Sequence, residues 1–430
     1  MSTNKSNNAW IKLIEKYNII DQIDNYGSFI ITSKKINEFR ESRLMSKWDT
    51  YESLPQVFKN EKINILPISR QAYVLGRFDL YKELPEFGVR KSEIKTVNVP
   101  QYETIDLDKI NSESNALNIM LISNILADFL NEENPVETFN GRMGTENFDF
   151  LVNQYRSKNK ASVNVSKAQI EIDSGLETKE SVTIIEAKNV INANMNIRQL
   201  YYPYRLWENK VNKPIRNIFS IYSNKIYKLI EYEFIDKKDF SSIKLLKESE
   251  YSIDETLITL RDLKDIHKTT KPIYDEDKDR NGFPSLQANS VDKLISLMEL
   301  LSEYPKTKDE IADKMEFDIR QADYYFNAGR YLNVMENIYE DGEILRSLND
   351  NGKSILEGSY RYRQLEIVKL IFEHKLFYIL FDLSFPNGDI STEVIMQTMS
   401  EYGSRENETT RFRRASTIKQ WLRWIYSLTE

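Results

Sequence analysis

The spacing of hydrophobic positions changes along this chain, and with it the predicted elements. Near the start, Trp10, Leu13, Ile14 and Tyr17 recur at helical spacing over residues 10–24. Between residues 26 and 86 a basic piece, KKINEFRESRLMSKWD, reads as helical, and INILPI and AYVLGRF read as strands. An apolar stripe predicts a helix over about 115–131, LNIMLISNILADFLNEE, with an acidic end. In VETFNGRMGTENFDFLV, residues 136–152, Gly141 and Gly144 predict a turn before a strand. The runs IEIDSG (170–175) and TIIEAK (183–188) are strongly β-forming. A helix over about 194–210 is interrupted by Pro203, and NIFSIYSNKIYKLIEYEF predicts a hairpin turning at Ser223–Asn224. This order describes an α/β unit with a sheet of at least four strands.

Residues 266–289 are rich in charge, Gly and Pro and read as a linker. Beyond them the pattern is mainly helical. SVDKLISLMELLSEY carries an apolar stripe. Thr307 with Glu310 and Asp318 with Gln321 are capping-box spacings that open helices to Met315 and to about Arg330. YLNVME, EDGEI and LRSLND then predict strand, turn and return strand, so residues 290–365 read as a winged helix-turn-helix. Residues 366–430 form a helical region with a basic segment, whose last helix, 416–428, aligns Ile418, Trp421, Leu422 and Ile425. The predicted domains are thus an N-terminal α/β region (1–115), a core (116–265), the linker, the winged helix and the C-terminal helices.

Composition narrows the chemistry. Of 430 residues, 40% are hydrophobic and 29% charged, a globular balance. With no cysteine, disulfides, thiolate zinc sites and cysteine catalysis are excluded. His267 and His374 are the only histidines, so chemistry must run on carboxylates and lysine, which suit magnesium or manganese. The polar start MSTNKSNNAW and the lack of any long apolar run predict a soluble, cytoplasmic protein with no membrane partner. The net charge of −7 argues weakly against indiscriminate nucleic-acid coating, yet Lys188–Lys225 holds seven basic residues and one acid, and Arg405–Arg423 six and two.

Side chains two apart on a strand share a face, so Glu171 pairs with Asp173 and Glu186 with Lys188. A hairpin turning at 178–181 sets Asp173 opposite Glu186 and Glu171 opposite Lys188. Three carboxylates and an ammonium then crowd one sheet end, where like charges repel by roughly 0.2–1 kcal/mol per opposed pair and invite a divalent cation. Val182 to Ala187 are apolar enough on both faces for a central strand whose end emerges into a cleft.

An acid followed 10–20 residues later by (D/E)-x-K on the next strand resembles the PD-(D/E)xK nuclease superfamily, although no proline precedes Asp173. The wider stretch, FNGRMGTENFDF…QIEIDSGLE…VTIIEAKN…NIRQLYYPYRLW, is similar to a group of bacterial type II restriction endonucleases, as are ESRLMSKWDTYESLP and RRASTIKQWLRWI. The resemblance implies a mixed-sheet nuclease core at 116–265 that cuts double-stranded DNA site-specifically with Mg2+, Mn2+ substituting. Asp173 and Glu186 would hold the metal and Lys188 would assist the attacking water. Glu171 is an alternative ligand, Glu137 the candidate upstream acid, and Gln199 a polar residue facing the site from the following helix. A homodimer on DNA and a companion DNA methyltransferase are also implied. The alternatives are a nuclease of modification-dependent restriction or repair, and a non-catalytic winged-helix DNA-binding regulator.

The residues that would meet DNA follow from charge and side-chain type. Arg142, Arg198, Tyr202 and Arg205, with Tyr201 and Tyr204 beside them, cluster around the candidate site and suit phosphate contacts. Arg320, Gln321 and Tyr324, with Arg330, lie on the predicted recognition helix, where Arg and Gln can bond base edges. Arg413 and Arg414 lead the basic C-terminal segment, with Arg411 and Lys419.

Overall fold

The computed structural model describes residues 2–87, 93–100, 102–107, 110, 112–274, 286–402 and 407–429. The chain is mixed α/β, built around a seven-stranded mixed sheet and ending in a helical region. Across the sheet the strands run Lys95–Thr96, Ile243–Ser252, Ile226–Phe234, Ile215–Ser223, Val182–Lys188, Gln169–Glu177 and Val136–Gly144. Val182–Lys188 is central, parallel to Ile215–Ser223 and antiparallel to Gln169–Glu177. All its residues but Lys188 are buried, as expected for a strand covered on both faces.

The strand's period of two explains the two covers. Ile184 packs in the core shared with Leu200, Tyr201 and Leu206 of the helix Arg198–Trp207. Ile185 and Ala187 point the other way, onto Leu117, Met120 and Leu126 of the helices Glu113–Ile122 and Ile125–Leu130. Those helices replace the single one expected at 115–131, because Asn124 takes a left-handed backbone and restarts the turn. Pro203 sits inside its helix, within the first two turns.

The turn expected at Gly141 and Gly144 is instead part of one strand, Val136–Gly144. Gly141 at φ +84° carries an irregularity in its pairing with Gln169–Glu177. The hairpin turn after Ser223 falls one residue later than predicted, on Asn224 and Lys225, both with positive φ. A hairpin of Asn147–Gln154 and Ser157–Ser166 lies outside the main sheet.

The N-terminal region has its own core. Trp10 and Phe58, with ring centroids 4.8 Å apart, pack beneath a sheet of Ser28–Thr32, Ala72–Gly76 and Asn64–Pro67. The predicted linker begins inside a helix, Leu260–Thr269, and its residues 275–285 lie outside the described ones. Then come the helices Val291–Glu303, Lys308–Lys314 and Ile319–Tyr331, and a hairpin of Met335–Glu340 and Glu343–Leu348. The Thr307/Glu310 capping box is formed. At Asp318 only half of one forms: its side chain accepts from the Arg320 N–H. Among the described residues five further helices follow, ending with Glu408–Ser427.

Candidate active site

The pairing predicted from the 178–181 turn is present up to a point. Val182 pairs with Glu177 and Ile185 with Ser174, the register that would bring Asp173 opposite Glu186. There the ladder ends. Asp173 Oδ2 accepts the Ala187 N–H at 2.8 Å, so a side chain takes over where a backbone carbonyl would have paired. The two strands part at this fork, and the parting exposes one end of the central strand to a cleft of about 600 Å³.

Asp173, Glu186, Lys188 and Gln199 all line that cleft. Lys188 Nζ lies 3.0 Å from Glu186 Oε1, and Gln199 Nε2 donates to the same oxygen. Gln199 reaches it because its helix packs on the strand face that carries Glu186. Gly175, two residues after Asp173, is bare because the Phe139 ring occupies the space a Cβ would fill. That ring in turn stacks on Trp207 at 4.0 Å, tying the edge strand to the site's helix.

Three further carboxylates reach the site from distant parts of the chain. Glu113 and Asp49 line the cleft, and Glu316 acts electrostatically on Lys188. The device that gathers two of them follows Lys188 directly. Asn192, Asn194 and Asn196 are buried at alternate positions. Asn192 donates to Glu316 Oε2 at 3.1 Å, in the turn between two C-terminal helices. Asn194 Oδ1 accepts from the Tyr51 N–H at 2.8 Å. The Asn196 N–H donates to the Asp49 carbonyl at 2.8 Å, and its side chain donates to the Trp48 carbonyl at 3.1 Å. One short segment therefore straps the N-terminal loop and the C-terminal turn onto the site. The repeat N-x-N-x-N beside EAK was the sequence signal for it: uncharged, small and polar at every second position, it suits buried backbone contacts.

Burial dominates the electrostatics. It pushes Glu186 up to about 8, against the pull of the Lys188 ammonium and with a further push from Asp173 and Asp49. Asp173 and Glu113 are raised for the same first reason; the Ala187 N–H opposes the shift at Asp173, and Lys188 opposes it at Glu113. Glu316 is pushed up to about 7, again by burial first. Burial alone would strip the proton from Lys188, but Glu186, Asp49, Glu316 and Glu113 together hold it well above the usual lysine range. The direction that stands for the Glu186–Lys188 pair is a firmly protonated lysine, because its ammonium faces four acids at once.

The other expected site residues divide between the cleft and the rest of the chain. Glu171 is on the outer side of the fork, exposed and ion-paired with Arg142 at 3.3 Å. It borders the cleft rather than joining Lys188. Glu137 is exposed, paired across from Leu176, and does not line the cleft; the upstream acids that do are Asp49 and Glu113. Arg198 lines the cleft but is ion-paired with Asp49 at 3.3 Å.

Tyr202 and Arg205 belong to the interior. Tyr202 is fully buried and donates to the Pro67 carbonyl. Arg205 is enclosed by Glu208, Tyr201 and the Phe148 ring and donates to the Asp149 carbonyl. Their helix turns these side chains into the core, and a phosphate cannot reach them. In the C-terminal region Arg320 and Arg413 are exposed, and Gln321, Tyr324 and Arg414 half-buried; Arg414 donates to the Leu286 carbonyl at 3.2 Å. None of these lines the cleft.

Among the described residues no three acids or histidines converge into a ready-made metal cage. Two carboxylates do share one cleft edge. Asp173 uses Oδ2 for Ala187 and Glu186 uses Oε1 for Lys188 and Gln199, which leaves the second oxygen of each available. That suits magnesium, which is commonly bound by one or two carboxylates, substrate phosphates and waters.

Three domains of unknown function match the chain in succession: DUF6996 over residues 7–75, DUF6997 over 76–252 and DUF7226 over 293–430. The site draws on all of them, with Asp49 from the first, Glu113, Asp173, Glu186 and Lys188 from the second, and Glu316 from the third. Comparison with curated proteins and with solved structures finds no match. Among the described residues no helix is long and apolar enough to cross a membrane.

Proposed function

We propose that this chain is a magnesium-dependent endonuclease of double-stranded DNA, of the type II restriction class, with a PD-(D/E)xK core. The observation that carries the reading is the fork at Asp173. It gathers Asp173, Glu186 and Lys188 at one open sheet end, although charging buried carboxylates there works against stability. Sites that shift their carboxylates this way are enriched for function.

In this reading Asp173 and Glu186 hold the metal through their free oxygens. Magnesium bound there would polarise a phosphoryl oxygen and make a water easier to deprotonate. Lys188, kept protonated by the surrounding acids, offsets negative charge gathering on the phosphate rather than acting as a base. Gln199 and Lys188 fix the orientation of Glu186. The three helices at 291–331 and the hairpin at 335–348 support a winged-helix reading, with Ile319–Tyr331 as the recognition helix. Cutting both strands calls for two such sites, hence a homodimer on DNA, and a companion methyltransferase would protect the host.

The test is digestion of unmethylated phage DNA with magnesium and with EDTA. Discrete fragments with magnesium alone, lost in a Glu186→Ala/Lys188→Ala double variant that still folds, are expected. Unchanged cutting by that variant overturns the site assignment. Fragments from methylated DNA alone would move the protein to modification-dependent restriction.

A further inference from the structure

The cleft has two unlike walls. One is the sheet end with Asp173, Glu186 and Lys188; the other comes from the N-terminal region. On that second wall Arg43 lies on the short helix Ser42–Ser46, and Arg70 lies in the turn between the strands Asn64–Pro67 and Ala72–Gly76. Both are exposed, and neither is ion-paired or hydrogen-bonded to another described residue. The other cleft arginines are committed: Arg142 to Glu171 and Arg198 to Asp49. Arg70 reaches toward the end of the edge strand Val136–Gly144, its Nη2 3.6 Å from where a Cβ on Gly144 would stand.

Two guanidinium groups with no ion-pair partner among the described residues therefore line one cleft with the carboxylates of Asp173 and Glu186, in a chain whose net charge is −7. Scattered surface arginines would carry no such geometry, and the free acids of an acidic chain would readily neutralise them. A cleft of about 600 Å³ is of small-molecule size, about 300–1,000 Å³, and admits one strand's backbone rather than a whole duplex. Arginine's fork matches phosphate oxygens.

We propose that Arg43 and Arg70 form a phosphate clamp. They grip the phosphodiester backbone of one strand on either side of the linkage presented to Asp173 and Glu186. The proposal deepens the nuclease reading and rests on it for the identity of the strand's fate, but gripping does not require cutting.

The experiment measures affinity of the full chain for a fluorescently labelled duplex in EDTA over a series of salt concentrations, alongside cleavage in magnesium. In Arg43→Ala/Arg70→Ala, binding is expected to weaken alike for every duplex sequence. The slope of log affinity against log salt should shrink by about 2, near one per lost phosphate contact. Arg43→Lys/Arg70→Lys, which keeps the charge, should retain most of the slope, and an alanine variant that melts with wild type shows that its loss is not misfolding. A wild type that cuts, with an alanine double variant matching it in affinity and slope, overturns the clamp and leaves the nuclease reading standing. A wild type that binds duplex through these arginines yet never cuts supports the clamp and overturns the nuclease reading. A wild type that neither binds nor cuts overturns both.

Discussion

Asp173 accepts the Ala187 N–H at 2.8 Å, so the residue read as a metal ligand is also the peg that ends the strand pairing. The two duties separate by substitution. Asp173→Asn keeps an acceptor for the amide and loses the charge. Its stability in urea should stay within about 1 kcal/mol of wild type, while magnesium-dependent cleavage falls below detection. Asp173→Ala also strands a buried N–H and should lose about 1–3 kcal/mol. Equal cleavage by wild type and Asp173→Asn would remove Asp173 from the catalytic set.

The proposed role of Glu186 as a metal ligand would couple metal binding to pH. Burial raises it from 4.5 to about 8. A group raised on folding contributes stability that is full below its ordinary value and is lost as pH rises through the folded one. The window is therefore about pH 4.5 to 8, with the apo protein least stable above it. A cation must displace that proton, so magnesium should raise the melting temperature more at pH 9 than at pH 6. Differential scanning fluorimetry with and without magnesium checks this. Glu186→Gln should abolish the magnesium effect and melt higher than apo wild type at pH 9. A magnesium shift that is flat with pH would show that Glu186 does not titrate against the ion.

The sequence was most informative where one period ruled one element. The 182–188 strand, its turn at 178–181 and its pairing partner follow from alternation and turn chemistry, and with them the Asp173–Glu186 alignment. What it hid is long-range. Asp49, Glu113 and Glu316 lie in three separate segments, and no local pattern says that each reaches Lys188. Helix faces were also misjudged. LYYPYR looks cationic and aromatic enough for DNA, but Tyr201, Tyr202 and Arg205 pack between the helix and the hairpin at 147–166.

Arg205 tests that misjudgement directly. It is held by Glu208 at 2.8 Å, by the Tyr201 hydroxyl and by the Phe148 ring, with little exposure. Arg205→Ala leaves Glu208 without its buried partner and opens a gap in an aromatic cluster. It should cost about 3–5 kcal/mol in denaturant unfolding. Where enough folded variant is recovered, the salt slope of duplex binding should match wild type. A slope smaller by about 1 would return Arg205 to the DNA interface.

Glu316 tests whether the C-terminal region belongs to the site or only abuts it. Its carboxylate accepts from Asn192 at 3.1 Å, its backbone carbonyl accepts from Thr50 Oγ1 at 3.1 Å, and burial pushes it up to about 7. The shift is upward from 4.5, so its contribution is full below about pH 4.5 and is lost as pH rises through about 7. Glu316→Gln keeps an oxygen for Asn192 and removes the charge. The variant should match wild type at pH 5 and exceed it by about 1–3 kcal/mol in urea unfolding at pH 8.5. Lys188 simultaneously loses one of the acids that hold its proton, so the alkaline limb of the cleavage profile should move to lower pH. Lys188→Ala sets the scale for that loss: about 10²-fold or more in cleavage rate, with a stability deficit that grows from pH 6 to 9 as the abandoned acids charge. A Glu316→Gln variant whose stability and pH profile both overlay wild type would reduce the C-terminal contact to packing.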